Sequence, residues 1–435
     1  MKTKHKTLIA MIVSMVMGYM PWYNFSAALK YLADEFNLTA NDTGMILGSF
    51  QAGYVLVVGI TGWLGDRFSL KKIVFTATLI TGIFSLLFIW GAQGKTSIIL
   101  FRLITGLAAG AIYVPGMTLL SRWLRPEERG AALGAYTGAL TAAYAGGYVI
   151  AGYLSSSYGW RVGVFWTSIP AIVAALIIAL FVSDRSLNEE TQEFKSSFDS
   201  DSIKGHASDE RREPHLTIQP APEGGFAGPI LICLSYAGHM WELYAFWGWI
   251  GPFLLSAAVA TGMTADEAVR WSGTFSSGII LLGAPAAWLW GIFADKKGRS
   301  IAILMAGMFS IVGECVIGFL HGQSLVLITC IGAWIGFWVI ADSAIYKAGL
   351  TEMVAPRIRG ISLGIQSVIG FFVTILSPIV FGHILQRYNG TASPAMIHIW
   401  GPAFLVLGLG GLVGPVASVF LRRHRQSVLM ASGKH

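Results

Sequence analysis

The stretch GWLGDRFSLKK, residues 62–72, places four charged side chains in a short turn between two long apolar segments. A variant of this turn, GIFADKKGRS, returns at residues 291–300. The glycines that open the two turns lie 229 residues apart, and so do the aspartates four positions later. A charged turn that occurs twice in an apolar chain indicates an internal duplication.

A second polar turn repeats with nearly the same offset. RPEERGAALG, residues 125–134, matches APRIRGISLG, residues 355–364, at a distance of 230 residues. The match includes Arg129 with Arg359 and the glycine that follows each arginine. Two elements in the same order at nearly one offset predict that the second half of the chain duplicates the first.

The composition predicts an integral membrane protein. The chain of 435 residues is 54% hydrophobic and 12% charged, with a mean hydropathy of +0.63. Soluble domains carry about 25% charged residues. A membrane helix needs about 20 mostly apolar residues. Twelve segments satisfy this requirement: 7–29, 43–64, 73–92, 97–119, 130–154, 162–183, 226–256, 270–293, 301–320, 325–346, 361–384 and 397–421.

The fold class that follows is all-α, with twelve transmembrane helices in two pseudo-symmetric halves of six. Residues 1–183 form the first half and residues 226–435 the second. Residues 184–225 are polar, mixed in charge and rich in Ser, Asp and Glu, which predicts a linker loop between the halves. We expect the chain to work as a monomer.

The charge distribution predicts topology rather than a nucleic-acid partner. With a cytoplasmic N-terminus, the tails and short loops on that side hold 19 of the 30 Lys and Arg residues, and the linker adds 5. The other side holds 5, and Arg102 lies inside a segment. This positive-inside asymmetry places both termini in the cytoplasm. Short loops and the lack of a eukaryotic targeting signal favour a bacterial inner membrane.

The first turn resembles the signature between helices 2 and 3 of the major facilitator superfamily. Ser69 stands where that signature has its second glycine, and the other motif positions match. The residues that match in the first copy are Gly62, Leu64, Asp66, Arg67, Lys71 and Lys72. The residues that match in the second copy are Gly291, Asp295, Gly298 and Arg299. The resemblance implies the superfamily fold for the whole chain.

The same resemblance implies a conformational gate at the cytoplasmic face. It places Asp66 near the N-terminus of helix 11, where the helix dipole favours a carboxylate. The basic residues would pair with acids such as Glu127 or Glu128 and hold the halves together when the transporter faces outward. Positive-inside topology alone is the alternative explanation for the basic residues. The predicted gate comprises Gly62, Asp66, Arg67, Lys71, Arg129, Gly291, Asp295, Arg299 and Arg359.

Ionisable residues inside the membrane are expensive and indicate function. By resemblance, helices 1, 4, 7 and 10 line the central cavity. Arg102 lies in helix 4, where Gly106 and Gly110 continue its face and allow close helix approach. The superfamily shows a similar arginine, proposed for proton transfer or anion binding. Alternatively, Arg102 extends to the outer membrane interface.

His239 and Glu242 lie three residues apart near the middle of helix 7, so they share a helix face. Such a pair can bind substrate or carry a proton, or each member can bond a neighbouring helix. Asp342 and Lys347 lie in the inner part of helix 10, where Lys347 could also mark the cytoplasmic boundary. Glu314 in helix 9 receives no assignment.

Four uncharged residues complete the predicted substrate and coupling site: Tyr23, Asn24, Gln51 and Gln366. We expect Asn24 and Arg102 to lie at similar depth. Helix 5 carries GALTAAYAGG, residues 138–147, which is similar to the superfamily's antiporter motif. Alanines replace its central glycine and its proline, so close helix packing is the simpler interpretation.

The functional hypothesis is a proton-coupled secondary transporter that works by alternating access. Arg102, His239 and Lys347 favour a small organic anion as the solute. Proton-driven efflux of drugs or cations is the alternative, and a non-transporting sensor or scaffold is a hypothesis of another class. No nucleotide-binding motif occurs, and the three cysteines fit no metal site. The sequence therefore predicts no enzyme activity, no metal and no cofactor; the partners are a solute, protons and the lipid bilayer.

Overall fold

The computed structural model describes residues 3–124, 126–184, 225–355 and 358–434. These residues form helices and contain no strand. The first half contains α1 (Thr3–Gly18), α2 (Asn24–Phe36), α3 (Ala40–Val58), α4 (Thr61–Arg67), α5 (Leu70–Gly91), α6 (Lys95–Ala109), α7 (Tyr113–Trp123), α8 (Pro126–Tyr158) and α9 (Trp160–Phe181). The second half contains α10 (Ala227–Ala260), α11 (Ala265–Leu281), α12 (Gly283–Lys297), α13 (Arg299–Ile317), α14 (Leu325–Ala341), α15 (Ser343–Met353), α16 (Arg359–Asn389), α17 (Gly401–Gly411) and α18 (Val413–Arg423).

These helices form twelve rods, called spans 1 to 12 below. Spans 1, 2, 4, 8, 10 and 12 are each made of two successive helices: α1–α2, α3–α4, α6–α7, α11–α12, α14–α15 and α17–α18. Spans 3, 5, 6, 7, 9 and 11 are α5, α8, α9, α10, α13 and α16. By length and composition, ten of the spans are long and apolar enough to cross a membrane. Spans 2 and 5 are not among these ten. The predicted fold class is thereby confirmed. The limits of the halves stay a prediction, because residues 185–224 lie outside the described chain.

Two breaks shape the interior. Span 1 is interrupted by a 3₁₀ turn, Met20–Trp22, that contains Pro21. Proline has no N–H to donate and clashes with the preceding helical turn, so it interrupts the helical hydrogen bonds. Span 10 is interrupted at Asp342, between α14 and α15. Backbone groups freed inside a membrane need partners within the protein.

Glycines close the two halves against each other at one face. The face where span 1 begins and span 12 ends is called the terminal face, and the other is called the opposite face. At the opposite face, a Cβ on Gly44 would lie 2.5 Å from the carbonyl oxygen of Pro378, and a Cβ on Gly382 would overlap the carbonyl oxygen of Ala40. Only glycine permits this backbone approach between spans 2 and 11.

Hydrogen bonds between the halves add to the seal at the opposite face. The Tyr31 hydroxyl donates to Asp266 Oδ1 over 2.6 Å, which joins span 1 to span 8. The Asn41 amide donates to Gln386 Oε1 over 3.1 Å, which joins span 2 to span 11. The opposite face is therefore closed by both packing and hydrogen bonds.

The terminal face is open. A Cβ added to any of five glycines near that face would meet no described atom within 4 Å: Gly134, Gly138, Gly291, Gly360 and Gly364. These positions lie on spans 5, 8 and 11, in the same half of the membrane as the charged turns. Closed packing at the opposite face and open space around these glycines define an arrangement that is open toward the terminal face.

Candidate functional site

Arg102 braces the break in span 1. It lies on α6 with only 5% of its surface exposed. Its Nη1 donates to the carbonyl oxygen of Pro21 over 3.0 Å, and its Nη2 donates to that of Trp22 over 2.6 Å. The guanidinium carbon lies 4.3 Å from the centre of the Phe50 ring. Within the described chain, no carboxylate pairs with Arg102, so backbone carbonyls and aromatic faces hold its charge.

The glycines that follow Arg102 fit the side of span 2. A Cβ on Gly106 would overlap the carbonyl oxygen of Phe50, and a Cβ on Gly110 would lie 2.6 Å from that of Tyr54. Spans 2 and 4 therefore pack with their backbones nearly in contact, as the small-residue spacing predicts. This packing also holds the Phe50 ring over Arg102.

His239 and Asp342 meet inside the second half. His239 Nδ1 lies 2.9 Å from Asp342 Oδ1, and both side chains are 3% exposed. The Tyr346 hydroxyl donates to Asp342 Oδ2 over 2.8 Å. The imidazole packs against the rings of Tyr236 and Tyr346, with centroid distances of 5.8 and 5.2 Å. The His239 Nε2 atom has no partner among the described residues.

Glu242 points to a different neighbour from His239. Its Oε2 accepts a hydrogen bond from the Ser310 hydroxyl on span 9 over 2.5 Å. A side chain on Gly411 of span 12 would overlap the Glu242 carboxyl, so this glycine makes room for it. His239, Glu242, Ser310 and Asp342 line one cavity of about 10 Å³, enough for about one water molecule.

Lys347 faces the space between the halves. Its Nζ lies 6.0 Å from the ring centre of Tyr113, which belongs to span 4 of the other half. The side chain is half-buried, and no carboxylate of the described residues pairs with it. Lys347 therefore presents an unpaired positive charge to that space.

The four uncharged candidates have separate environments. Asn24 Nδ2 lies 3.1 Å from Thr167 Oγ1 and points toward spans 3 and 6. Gln51 Oε1 accepts from Thr374 of the other half over 3.4 Å. Gln366 Nε2 donates to the carbonyl oxygen of Tyr346 over 3.2 Å. The Tyr23 hydroxyl is buried among aromatic rings without a described partner.

The candidate residues thus form two separate groups. The first group, around Arg102, belongs to the first half. The second group, with His239, Glu242 and Asp342, lies within the second half. The sequence interpretation missed Ser310 and Tyr346. Tyr346 follows Asp342 by four residues on one helix face, so its helical spacing is the signal that could have identified it.

The gate residues of the first half make local contacts. The Lys71 ammonium donates to the carbonyl oxygen of Ala179 at the end of span 6 over 2.9 Å. The Arg67 guanidinium stacks over the Trp63 ring at 4.4 Å. The surroundings of Gly62 and the side chains of Asp66 and Arg129 lie outside the described part of the structure.

The second copy forms an ion-pair cluster. Arg299 Nη1 lies 2.6 Å from Asp295 Oδ1, and its Nη2 lies 2.9 Å from Glu352 Oε1. Arg299 Nε donates to the second oxygen of Glu352 over 3.3 Å, so the Arg299–Glu352 pair is bidentate. Glu352 ends span 10 and was not singled out from the sequence. Gly291 lies one helical turn before Asp295 with open space beside it, and Arg359 is exposed at the start of span 11.

Twelve spans in two halves, open at one face and carrying ionisable side chains within the membrane, define a membrane transporter. The chain belongs to the Major Facilitator Superfamily, whose family model matches residues 11–349. It is a secondary transporter in a multi-pass membrane fold, and not an enzyme.

Similar proteins span nearly the whole chain. A probable sulfoacetate transporter of Cupriavidus necator is 22% identical and covers 97% of this chain and 94% of its own. A cis,cis-muconate transport protein of Acinetobacter baylyi is 25% identical, and the match covers 88% of this chain and 87% of that protein. A bacterial homolog of the human lysosomal transporter Spinster, solved inward-facing and occupied, has a TM-score of 0.74 at 15% identity and covers 96% of both chains.

Proposed function

We propose that this protein is a proton-coupled transporter of small organic anions that works by alternating access. The observation that carries the proposal is the position of Lys347. Its ammonium lies between the halves, 6.0 Å from the Tyr113 ring, and no described carboxylate neutralises it. An unpaired cation in a membrane protein favours a negatively charged ligand, because the ligand supplies the missing partner.

The substrates for which two relatives are named support the negative charge of this ligand. Sulfoacetate and cis,cis-muconate are both small organic dianions, and the two transporters cover most of this chain. Cation efflux is less favoured by the geometry. Glu242 and Asp342, the carboxylates that would attract a cation, point into the second half toward Ser310 and Tyr346.

The coupling step uses the short helix α15. Lys347 and Tyr346 are consecutive on this helix, and Tyr346 donates to Asp342 beside His239. A change in the charge of the His239–Asp342 pair therefore acts on the helix that carries Lys347. Glu242 lies on the same cavity and is the residue that we assign to proton binding. Loss of a proton there leaves a buried charge, which favours a different packing of spans 7, 9 and 12.

Arg102 serves this mechanism by holding span 1 in its broken form. Two of its three nitrogens already donate to Pro21 and Trp22, so its bonds shape the cavity wall. We assign the direct contact with the anion to Lys347 and the positioning of span 1 to Arg102. Gln366 positions Lys347 in the same way, since it holds the carbonyl of Tyr346.

We propose that the terminal face is cytoplasmic and that the membrane is the bacterial inner membrane. The excess of Lys and Arg on that side supports this orientation. The structure then represents the cytoplasm-facing state. We also propose that one chain is sufficient, since both proposed sites lie within a single chain. Labelling of cysteines at either face in intact cells, and light scattering of the purified protein, test these two points.

The transport experiment uses purified protein in liposomes that contain a pH-sensitive dye. Sulfoacetate, cis,cis-muconate, neutral sugars and cationic drugs are added in turn. We expect proton movement with the anions only. Lys347→Gln should raise the anion KM about tenfold or more, because a hydrogen bond to a charged group is worth about 1.5–3 kcal/mol. Lys95→Gln is the matched control, because Lys95 is exposed at the opposite face and already has a carboxylate partner, Asp42.

Glu242→Gln separates coupling from binding. It should move the anion without moving protons, because the amide occupies the space of the carboxyl and cannot release a proton. Proton movement with cations alone would replace the anion proposal with drug efflux. No movement of any solute by the folded protein would favour the non-transporting alternative.

A further inference from the structure

Glu314 is the ionisable residue that the mechanism above leaves without a role. It lies on α13 in span 9 and is 0% exposed. Both of its carboxyl oxygens lack a hydrogen-bond partner among the described residues. An ionised carboxylate in such a place would be desolvated without compensation, so the neutral acid is the stable form in this arrangement. Structural buried carboxyls are normally hydrogen-bonded. Because both carboxyl oxygens of Glu314 lack a hydrogen-bond partner, the residue is better explained by a functional role than by a structural one.

The surroundings of Glu314 contain a second carboxyl. Glu242 of span 7 and Glu314 of span 9 both face span 12: a Cβ on Gly411 would overlap the Glu242 carboxyl, and a Cβ on Gly408 would lie 3.4 Å from the Cβ of Glu314. Cys315 is the titratable neighbour on the helix of Glu314 itself. Asp342 of span 10 in turn interacts electrostatically with Glu242. Span 12 contributes no charge there and packs tightly, with Gly408 facing this part of span 9. Glu314 and Glu242 therefore form a pair of neighbouring acids within the second half, and Glu242 also shares its cavity with His239 and Asp342.

Ser310 stands between the two acids. Its hydroxyl donates to Glu242 Oε2 over 2.5 Å. Glu314 follows Ser310 by four residues, so the two side chains are neighbours on one face of α13. The two are not hydrogen-bonded in this arrangement, so proton transfer requires a rotation about the side-chain bonds of Glu314 that brings its carboxyl to the serine hydroxyl. A hydroxyl both donates and accepts, which allows it to relay a proton.

We propose that Glu314 is a second proton-binding residue, which exchanges a proton with Glu242 through the hydroxyl of Ser310. In the transfer, the carboxyl proton of Glu314 moves to Ser310 Oγ as the hydroxyl proton of Ser310 moves to Glu242. Serine is restored, one proton has moved, and the negative charge has passed from Glu242 to Glu314. The inference rests on the proton coupling proposed above, to which it adds a proton store off the solute path.

Infrared spectroscopy of the reconstituted protein tests the protonation directly. The absorption of protonated carboxylic acids is followed as pH is raised, in wild type, Glu314→Gln and Glu314→Asp. We expect a pH-dependent acid band with one component that is lost in Glu314→Gln and returns in Glu314→Asp, while the component of Glu242 remains. Its return in the conservative variant shows that the loss is not a folding defect. A wild-type spectrum that Glu314→Gln does not change would overturn the proposal.

Transport stoichiometry tests the exchange with Glu242. The number of protons moved per anion should fall to about half in Glu314→Gln, because one of two coupled acids is lost. Ser310→Ala should keep the acid band and slow proton movement, whereas Ser418→Ala, which also loses a buried serine hydrogen bond on span 12, should not. An unchanged ratio in Glu314→Gln contradicts the second site.

The two readouts distinguish the two proposals. If wild type moves anions but no protons, the proposed proton coupling fails. The infrared band then decides the protonation of Glu314 alone: its loss in Glu314→Gln supports proton binding at this residue, and its absence in wild type overturns it.

Discussion

Replacing Arg102 with lysine separates its structural bonds from its charge. The guanidinium donates to two carbonyl oxygens, those of Pro21 and Trp22, over 3.0 and 2.6 Å. Arginine provides this pair of donors in a planar fork, and lysine offers one ammonium nitrogen. Arg102→Lys therefore keeps the positive charge but loses one of the two bonds to the break in span 1.

The expected magnitude follows from these two bonds. A hydrogen bond to a charged group contributes about 1.5–3 kcal/mol, so Arg102→Lys should lower the free energy of unfolding by about that amount. Arg102→Met removes both bonds and should cost about 3–6 kcal/mol by the same estimate. The loss arises because the carbonyls of Pro21 and Trp22 lie inside the membrane, where no water replaces the missing donor.

The assay is reversible unfolding in mixed detergent micelles, combined with the anion KM in liposomes. Arg161→Lys is the matched control, because Arg161 pairs with Glu35 at an exposed position. Such pairs contribute about 0–1 kcal/mol, so this control should be nearly neutral. Arg102→Lys should lose stability and change the KM by less than about twofold. A variant as stable as wild type but with a much higher KM would refute the bracing role and return Arg102 to the anion site.

Three further variants probe the two faces. Gly382→Val should prevent closure of the opposite face, because its side chain overlaps the Ala40 carbonyl; labelling of a cysteine placed on that face should increase. Tyr31→Phe removes the bond to Asp266 and should shift the conformational equilibrium by about 2- to 12-fold toward opening there, measured by the same labelling. Arg299→Gln removes contacts to two carboxylates and should lower unfolding free energy by about 1–3 kcal/mol, with unaltered stability contradicting that role.

The fold could be predicted because its signals are local and repeated. The length of each apolar segment is enough to predict a membrane span. The charged turn at residues 62–72 occurs again at residues 291–300, which predicts the duplication. Membrane helices satisfy their own backbone hydrogen bonds, so no pairing between distant segments had to be guessed. The state of the gate could not be predicted, since the same residues serve an open or a closed face.

The site was predicted only in part, because its contacts cross between helices. The spacing of His239 and Glu242 correctly places them on one helix, but their partners are on spans 10 and 9. Asn24 lies beside the break in span 1, close in sequence to the two carbonyls that Arg102 binds. Its side-chain amide nevertheless faces spans 3 and 6. Such contacts depend on how each helix is rotated about its own axis. Sequence periodicity does not fix that rotation relative to the neighbouring helices.

The arrangement of the polar hydrogen bonds explains how the two halves can move relative to each other without a large cost in free energy. Arg102 bonds only within the first half, and the bonds of His239, Glu242 and Asp342 stay within the second. Moving one half past the other therefore leaves every one of these charged groups in its own environment.

Apart from the Tyr31–Asp266 bond at the opposite face, the contacts between the halves described above are hydrogen bonds between uncharged groups. They include the Tyr148 hydroxyl to the Trp247 carbonyl at 2.6 Å, and Thr374 to Gln51 at 3.4 Å. A typical intramolecular hydrogen bond contributes about 0.5–1.5 kcal/mol net, so these bonds can be exchanged during a transport cycle. Lys347 is a charged group that faces the other half, toward Tyr113, without a carboxylate partner among the described residues. An anion bound there would gain contacts from both halves at once, and its binding would favour their approach at the terminal face.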